Sequence, residues 1–339
     1  MRRAPWAVVT VVSLVFVMIG ASTPRGALGG GSGDPVLMSI AHQLDLRAES
    51  LAIVVVAGGR TRTAFVRSSP TTVYELGSVS KALTGLMVAD SVGRGELRLD
   101  DPLGRWLDLR GTAAAGVRLR DAATHASGLP RDARSSTGGP WFSSFTGKGV
   151  AQLEADARSV TLGPSGFVYS NLGGSLVGWT VARAAGTTYP DLVATRLFAP
   201  LGMSDSAAQV TPISRGGHNA NGVPQQPWLL DGYAPMGGLV STPQDMAALL
   251  RAMVDGTAPG LTALDPVLQL RDGHFEGLLW DVHVYDAAGH VLAAHAGGTP
   301  GYSSYVAVDR VSGIAVAVLA DGKTNVQALG ERLMTTPLG

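Results

Sequence analysis

Strand-like segments lie at both ends of the chain, and this separation limits the available folds more than any other feature. Residues 51–57 and 61–66 are rich in β-formers and flank Gly58-Gly59, which predicts an antiparallel hairpin. Because strands need partners, the two ends are expected to meet in one sheet, with the intervening chain inserted as a separate lobe. The strand-like segments near the other end are residues 282–285, 291–294, 302–308 and 314–319.

Helical periodicity dominates the intervening chain. Apolar residues recur at helical spacing over residues 172–185, 189–198 and 243–254, between loops rich in Gly and Pro. Helices are also predicted after Asp34-Pro35, where a capping residue precedes proline at the first helical position, and over residues 325–334. The predicted fold class is α/β, more strictly α+β: an antiparallel sheet flanked by terminal helices, with an inserted all-helical lobe.

Both lobes are expected to belong to one folded domain over residues 34–336. The α/β lobe would contain residues 34–84 together with residues 280–336, and the helical lobe residues 85–279. The chain is 45% hydrophobic and 15% charged, so it can bury a large core. Two lobes also agree with the usual length of about 150 residues for each structural unit.

The N-terminal segment has the pattern of a secretory signal. Two arginines follow Met1, residues 6–21 are almost wholly apolar, and small residues come next. We therefore predict a signal peptide over residues 1–22 and a flexible linker rich in Gly, Ser and Pro over residues 23–33. The alternative is an uncleaved membrane anchor, although the apolar run is shorter than the roughly 20 residues that span a bilayer. In both cases we expect the folded domain to be secreted or otherwise extracytoplasmic.

Charge and composition exclude several classes of protein. Lys plus Arg and Asp plus Glu each total 26, and the chain contains no cysteine. A neutral chain without clustered basic residues is poorly suited to nucleic acid. The missing cysteines exclude disulfides, thiolate nucleophiles and Cys-ligated metals. The seven histidines are scattered and no zinc-binding helix motif occurs, so we expect no metal site and no cofactor. A self-contained core with zero net charge makes a monomer the default.

Ser78 is the first candidate for chemistry, because it starts an apolar, helix-like segment with Lys81 three residues later. That spacing puts both side chains on one face of a helix. A serine hydroxyl becomes a nucleophile when a base removes its proton, and a lysine can be that base if burial lowers its pKa. The N–H groups of a helix N-terminus would also stabilise an oxyanion there. The simpler alternative is a helix cap beside a surface lysine.

Two more clusters follow Ser78 in a defined order. Tyr169-Ser170-Asn171 lies 91 residues after Ser78, and His295-Ala296-Gly297-Gly298 lies 126 residues after Tyr169, at the end of a predicted strand. With Ser-x-x-Lys, Tyr-x-Asn and His-x-Gly in this order, the sequence resembles the superfamily of serine β-lactamases and D-alanyl-D-alanine carboxypeptidases, which includes penicillin-binding proteins. The resemblance is to the branch of the class C β-lactamases and the Streptomyces-type carboxypeptidase.

The resemblance covers about residues 53–319 and is not limited to the three short motifs. It implies the β-lactamase/transpeptidase-like fold for the domain. The other family-like stretches, which occur in the expected order, are residues 95–103, 124–130, 200–203 and 237–242.

The resemblance also implies catalytic roles. Ser78 would be the acylated nucleophile, and Lys81 and Tyr169 would share a proton with it. Which of the two is the base stays open at this point. Asn171 would donate its side-chain amide to a substrate carbonyl or to Lys81.

The strand motif would supply the remaining contacts. His295 would replace the lysine found in lactamase-type strands, and Gly297 and Gly298 would line the substrate. The backbone N–H groups of Ser78 and Gly298 would form the oxyanion hole. The implied partner is a small molecule or a peptidoglycan stem peptide, and a membrane is a partner only if the N-terminal segment is uncleaved.

Two departures from the family pattern affect the choice of substrate. The carboxypeptidase relatives hold a terminal carboxylate with a hydroxyl after the His-x-Gly and an arginine on the preceding strand, whereas this chain has Gly298 and, over residues 277–281, no arginine. Three hypotheses stay open: a D-alanyl-D-alanine carboxypeptidase or β-lactamase-like hydrolase, a carboxylesterase on the same fold, and a non-catalytic protein that binds penicillin or muropeptides.

Other residues near these motifs are expected to have structural roles. His125 lies in a turn-rich Thr-His-Ala-Ser-Gly setting and is predicted to pack within a loop. Lys148 and Lys323 are predicted to be solvated charges. The loop over residues 131–149, which contains Trp141, Phe142 and Phe145, would form a rim of the site or a flap that packs its aromatic side chains inward.

Overall fold

A computed structural model describes residues 30–44, 46–133, 145–285 and 290–336. The strands are β1 (Ser32–Gly33), β2 (Ser50–Ala57), β3 (Arg60–Val66), β4 (Tyr74–Glu75), β5 (Ala207–Ala208), β6 (Leu239–Ser241), β7 (Leu268–Arg271), β8 (His274–Glu276), β9 (Asp281–Val284), β10 (Val291–Gly298), β11 (Tyr302–Asp309) and β12 (Ile314–Asp321).

Helices fill much of the rest of the described chain. The α-helices are α1 (Pro35–His42), α2 (Val79–Gly93), α3 (Leu119–Ala123), α4 (Val150–Arg158), α5 (Asn171–Ala184), α6 (Tyr189–Val193), α7 (Ala199–Leu201), α8 (Ala234–Gly237), α9 (Pro243–Val254) and α10 (Val326–Thr335). A π-helical turn, Ala194–Phe198, joins α6 to α7. None of the helices in the described ranges has the length and apolar character needed to cross a bilayer.

One antiparallel sheet joins the two ends of the chain. Among the described residues its strand order is β1-β3-β2-β12-β11-β10-β9-β8-β7. The ends meet where β2 pairs with β12, with Val54 opposite Ala317. Both strands are buried along nearly their whole length, so their sequences are continuous apolar runs instead of alternating patterns. The predicted fold class, an antiparallel sheet closed by distant parts of the chain, is confirmed.

Apolar packing covers both faces of this sheet. On one face, α1 and α10 pack through a cluster that includes Leu37 and Leu329. On the other face, a larger cluster that includes Val54 and Leu86 joins the sheet to α2, α9 and the helical lobe. The N-cap predicted at Asp34 is present, because its side chain accepts hydrogen bonds from the N–H groups of Val36 and Leu37.

Parts of the predicted organisation need correction. The inserted lobe is not all helical, because its strands β5 and β6 form a small sheet with β4, which precedes the lobe in the chain. Strands of two or three residues are too short to produce a periodic signal. Ser32–Gly33, assigned to the linker, pairs with β3, so these two residues belong to the folded domain.

The main sheet also extends further than the sequence analysis predicted. β7 and β8 pair across Asp272-Gly273, with Arg271 opposite His274. An Asp-Gly pair between short alternating segments is a known hairpin signal, and it was missed because both strands are brief and half exposed.

Helix α2 lies between the sheet and the helical lobe, and it carries Ser78 at its N-terminus. The Trp280 indole N–H donates to the carbonyl of Ala82 at 2.9 Å. Gly85 packs directly on the chain before β9, where a Cβ would lie 1.8 Å from the carbonyl oxygen of Leu278. The absence of a side chain at Gly85 therefore sets how closely the helix approaches the sheet.

Replacing Gly85 with Ala is expected to lower the free energy of unfolding by about 1–3 kcal/mol, because the new methyl group collides with backbone and α2 must shift. Gly93→Ala, on the same helix, is the matched control. A Cβ at Gly93 meets nothing within 4 Å, so this change should be neutral or stabilising by about 0.5–1 kcal/mol. Urea unfolding of both variants measures the difference, and equal stabilities would contradict the close approach of α2.

Candidate active site

Ser78 lies directly after a tight turn and is half-buried. Its side chain makes no helix-capping hydrogen bond. Instead, the Ser78 Oγ accepts a hydrogen bond from the Lys81 Nζ at 3.2 Å. The helix-cap alternative therefore does not describe this serine, whose hydroxyl faces a potential base.

The turn before Ser78 packs against the end of β10. Gly77 has φ +50°, and a Cβ there would lie 2.6 Å from the backbone N of Gly298. A Cβ on Gly297 would lie 2.1 Å from the carbonyl oxygen of Leu76. Glycine at these positions allows the two backbones to touch. The structure thus brings Gly297 and Gly298 beside Ser78.

Lys81 is fully buried in α2. Its Nζ donates to the carbonyl of Met236 at 2.7 Å and lies 4.9 Å from the centre of the Tyr169 ring. Gly174 of α5 lies against the lysine stem, where a Cβ would be 3.2 Å from Cε. Burial, reinforced by the charge of Arg131, holds the pKa of Lys81 well below its usual value, and Asp132 opposes this only in part. The surface-lysine alternative is wrong for this residue.

Tyr169 completes a compact group around the serine. Burial raises the pKa of Tyr169 above its usual value, and the neighbouring Ser78 hydroxyl and the charge of Arg131 offset the rise only in part. Tyr169 is therefore neutral near pH 7 and can donate a proton. Because the pKa of Lys81 is lowered and that of Tyr169 is raised, Lys81 loses its proton more readily than Tyr169 does.

His125 packs against the ring of Tyr169. It is buried, and its Nδ1 accepts a hydrogen bond from the N–H of Ser170 at 3.2 Å. The centres of the His125 and Tyr169 rings are 4.6 Å apart. Burial and the charge of Lys81 hold the pKa of His125 well below its usual value, so the ring stays neutral. His125 packs in its loop, as predicted from the turn-rich sequence, and it also forms the wall behind Tyr169.

His295 faces the same group from β10. The structure extends this strand to Gly298, so His295 lies within the strand and not at its end. The centre of its ring is 6.2 Å from that of Tyr169, and its Nδ1–H donates to the carbonyl of Ala296 at 2.7 Å. Burial and the charge of Lys81 lower the pKa of His295 to about 4. Unlike the lysine it replaces in the family pattern, His295 brings no positive charge near pH 7.

Asn171 makes a different contact from the one expected. Its side-chain amide donates to Asp132 Oδ1 at 3.0 Å, and not to Lys81. Asn171 is the first residue of α5 and is buried, so this bond ties the helix to the loop that follows Pro130. The position of Asn171 beside the site is as predicted, while its role toward substrate stays a prediction.

Two charged residues beside Tyr169 were not predicted from the sequence. The Arg131 guanidinium lies 5.2 Å from the centre of the Tyr169 ring, and its Nε is 3.8 Å from Asp132 Oδ2. Their position directly after the family-like stretch at residues 124–130 was the available signal. From the loop predicted to form a rim or flap, Trp141 and Phe142 lie outside the described residues, whereas Phe145 packs inward with its ring centre 4.9 Å from that of Tyr233.

Lys323, predicted to be a solvated charge, lies closer to the site than that prediction implies. Its Nζ lies 3.1 Å from the point that a Cβ on Gly298 would occupy. Although the residue is exposed, protein crowded around its ammonium group lowers its pKa to about 8, and Glu75 opposes this. Lys323 reaches the site because β11 pairs with β12, with Tyr302 opposite Asp321. It is therefore a cation beside Gly298, at the end of β10, and not a remote charge.

Comparisons with known proteins agree with this geometry. The model of the family described as "Beta-lactamase" matches residues 39–334, almost the whole described chain. A β-lactamase-like protein of Homo sapiens is 31% identical over 258 residues, which are 69% of this chain and 51% of that protein. Penicillin-binding protein 4* of Bacillus subtilis is 27% identical over 264 residues, which are 68% of this chain and 56% of that protein.

A solved structure of a β-lactamase/D-alanine carboxypeptidase from Pseudomonas syringae has the same fold. It superposes with a TM-score of 0.77 at 17% identity, over 89% of this chain and 99% of that one. The chain spans only about half the length of the curated relatives above. The match to the family model, together with these likenesses, confirms the resemblance inferred from the motifs. The chain belongs to the β-lactamase family of serine hydrolases, which includes β-lactamases and D-alanyl-D-alanine carboxypeptidases.

Proposed function

We propose that this protein is an exported serine acyl hydrolase that cleaves amide bonds in substrates bearing a carboxylate, as a D-alanyl-D-alanine carboxypeptidase or β-lactamase-like enzyme. The observation that carries the proposal is the buried Lys81 amine 3.2 Å from the Ser78 hydroxyl. Burying a lysine is costly, and a fold that does so beside a serine gains a base for it. Export follows from the predicted signal peptide, which lies outside the described residues.

The opposite pKa shifts of Lys81 and Tyr169 indicate the route that the proton takes during the reaction. Lys81, with its lowered pKa, accepts the Ser78 proton as Oγ attacks the substrate carbonyl carbon. In the neutral amine one N–H donates to the Met236 carbonyl, and the lone pair can accept the Ser78 proton once the bond between Nζ and Oγ reverses its direction. Tyr169, which holds its proton, gives it to the leaving nitrogen and is reprotonated by Lys81. The C–N bond breaks, and water then hydrolyses the acyl-enzyme and restores Ser78.

The oxyanion forms at the start of α2. The N–H groups of Ser78 and Gly298 are proposed to donate to it, because the contact of Gly77 with Gly298 holds both backbones together. The positive end of the α2 dipole adds to this stabilisation.

The position of Lys323 favours a substrate that bears a carboxylate. The family hydroxyl is missing at Gly298, and the Thr299 hydroxyl does not replace it, because it is buried and accepts hydrogen bonds from the N–H groups of Gly301 and Tyr302. The Lys323 ammonium lies 3.1 Å from the point where a side chain at residue 298 would start. A cation there can form the charge-assisted hydrogen bonds that the missing groups supply in relatives.

The alternative is a carboxylesterase on the same fold. It is favoured by the missing hydroxyl and arginine, because an ester without a carboxylate does not need them. A non-catalytic protein that binds penicillin or muropeptides is the third candidate. The three differ in covalent chemistry at Ser78 and in the importance of Lys323, and both can be measured.

Replacing Ser78 with Ala should abolish acylation and lower kcat/KM by at least about 1000-fold, because the nucleophile is lost. The assays are the mass gain of the intact protein with a fluorescent penicillin and the release of p-nitrophenol from p-nitrophenyl butyrate. Ser39→Ala, an exposed serine on α1, is the control and should behave as wild type.

The pattern of results in this assay separates the candidates. A Ser78-dependent penicilloyl adduct, or penicillin turnover, supports the carboxypeptidase or lactamase proposal. Ester turnover without an adduct indicates the esterase. Reversible penicillin binding that survives in Ser78→Ala, without acylation in the wild type, indicates the binding protein.

The pH dependence of kcat/KM should identify the base. Activity is expected to rise with pH as Lys81 loses its proton, since only the neutral amine can accept one, and to reach its plateau well below pH 10.5. Tyr169→Phe should lower the rate by about 10²–10⁴-fold and leave the rise of activity with pH, the acid limb of the profile, at the same pH. If the limb shifts or disappears in Tyr169→Phe, then Tyr169 and not Lys81 is the base.

Lys323→Ala should raise KM about 10-fold for a carboxylate-bearing amide substrate and leave KM for p-nitrophenyl butyrate unchanged. In the wild type, the advantage for the carboxylate should be present below about pH 8 and lost as pH rises through it, because the ammonium then loses its charge. Lys148→Ala is the charge-matched control, since Lys148 lies 3.6 Å from Asp156 Oδ2 in the helical lobe. An equal loss with both substrates would argue against a carboxylate contact.

A further inference from the structure

Two histidines and an aspartate meet on the outer strands of the main sheet. His274 on β8 is directly opposite His283 on β9, and Asp281 is two residues before His283. Side chains directly opposite in an antiparallel pair, or two residues apart on one strand, lie on the same face. Strand pairing therefore gathers the three side chains, although no metal-binding motif is visible in the sequence.

The three potential ligand atoms are close enough to share one ion. His274 Nε2 and His283 Nε2 lie 2.6 Å and 3.2 Å from Asp281 Oδ1, and all three atoms lie within 4.8 Å of one another. Ligands about 2.0–2.1 Å from a tetrahedral zinc ion are separated by roughly 3.3 Å. The imidazole rings are stacked, with centres 4.3 Å apart and planes 11° apart, so both Nε2 atoms face the same carboxylate oxygen.

An ion can reach this cluster from solvent. The side chains of His274, Asp281 and His283 are 18%, 30% and 21% exposed. A surface cavity of about 630 Å³, lined in part by His274 and Arg271, lies beside them. Partial burial holds the ligands in place and leaves a coordination position open to water, which is typical of sites with three protein ligands.

When no metal is bound, Arg271 determines which ring nitrogen of His274 carries the proton. Its Nε donates to His274 Nδ1 at 3.2 Å, so the proton of the neutral ring is on Nε2 and points to Asp281. Metal binding at Nε2 requires the proton on Nδ1, so Arg271 must release this contact. Arg271 is exposed and can rotate into solvent. It therefore competes with the ion, and removing it should strengthen binding.

We propose that His274 Nε2, Asp281 Oδ1 and His283 Nε2 bind one divalent transition-metal ion of the Zn²⁺ class, with water as the fourth ligand. Imidazole and carboxylate are ligands that such ions accept. Asp281 pairs with Ala294 on β10, and His295 is the next residue, so its side chain points to the opposite face of the sheet. The three ligand atoms thus lie on the face opposite the His295 side chain, which the Asp281 charge reaches only through the sheet, and the metal site does not depend on the proposed hydrolase activity. It would link β8 to β9, next to the strand that carries His295.

Metal titration of the full domain, free of any polyhistidine tag and treated with EDTA, tests the proposal. Calorimetry with Zn²⁺ should give one ion per chain with micromolar affinity or tighter, and Co²⁺ should produce the visible absorption of a four-coordinate site. His283→Ala and Asp281→Asn should each weaken binding at least 100-fold, and Arg271→Ala should strengthen it a few-fold. His290→Ala is the control, since it removes a histidine that pairs with Asp309 at 2.9 Å and lies outside the cluster of His274, Asp281 and His283.

Thermal unfolding in EDTA separates ligand loss from misfolding. All variants should match the wild type there, while added Zn²⁺ should raise the Tm of the wild type and of His290→Ala but not of His283→Ala. Hydrolysis of p-nitrophenyl butyrate in EDTA should be unchanged, so failure of the metal proposal and failure of the hydrolase proposal give different results. Absence of saturable binding, or equal binding by His283→Ala and wild type, would overturn the metal site.

Discussion

Burial of the Lys81 amine is the constraint around which the rest of the candidate site is arranged. A lysine in a low-dielectric interior strongly favours its neutral form. Its hydrogen bonds go to the Met236 carbonyl and the Ser78 hydroxyl, and Gly174 lets α5 close over its stem. The packing of α2, α5 and α8 therefore sets the protonation state of the base. Changes that loosen this packing, even far from Ser78, would let water reach the amine and restore its charge.

The titratable groups around Ser78 fall into a buried set and an exposed set. Burial is the main cause of the pKa shifts in the buried set, which consists of Lys81, Tyr169, His125 and His295. Arg131 and Lys323 keep contact with solvent. The inner groups are thus suited to moving protons, and the outer cations to attracting an anionic substrate.

Local sequence signals account for the elements that the sequence analysis predicted correctly. Long apolar runs predicted β2 and β12, and a capping residue before proline predicted α1. Ser-x-x-Lys predicted the contact of Ser78 with Lys81, because three residues on a helix fix that geometry. Lys323 and the cluster of His274, Asp281 and His283 could not be predicted in this way, because sheet register brings them into place. Asn171 was placed correctly, but its bond to Asp132 depends on a loop conformation that spacing does not encode.

The pairing of β2 with β12 has a consequence for how the chain folds. These strands lie at opposite ends of the sequence, so their contact carries the loop-closure entropy of nearly the whole domain. During synthesis, the hairpin of β2 and β3 emerges long before β12 exists, and the apolar edge of β2 stays unpaired until then. An unpaired apolar edge is a template for association with other chains. High contact order therefore makes the interval before β12 is complete the most vulnerable time in the maturation of this protein.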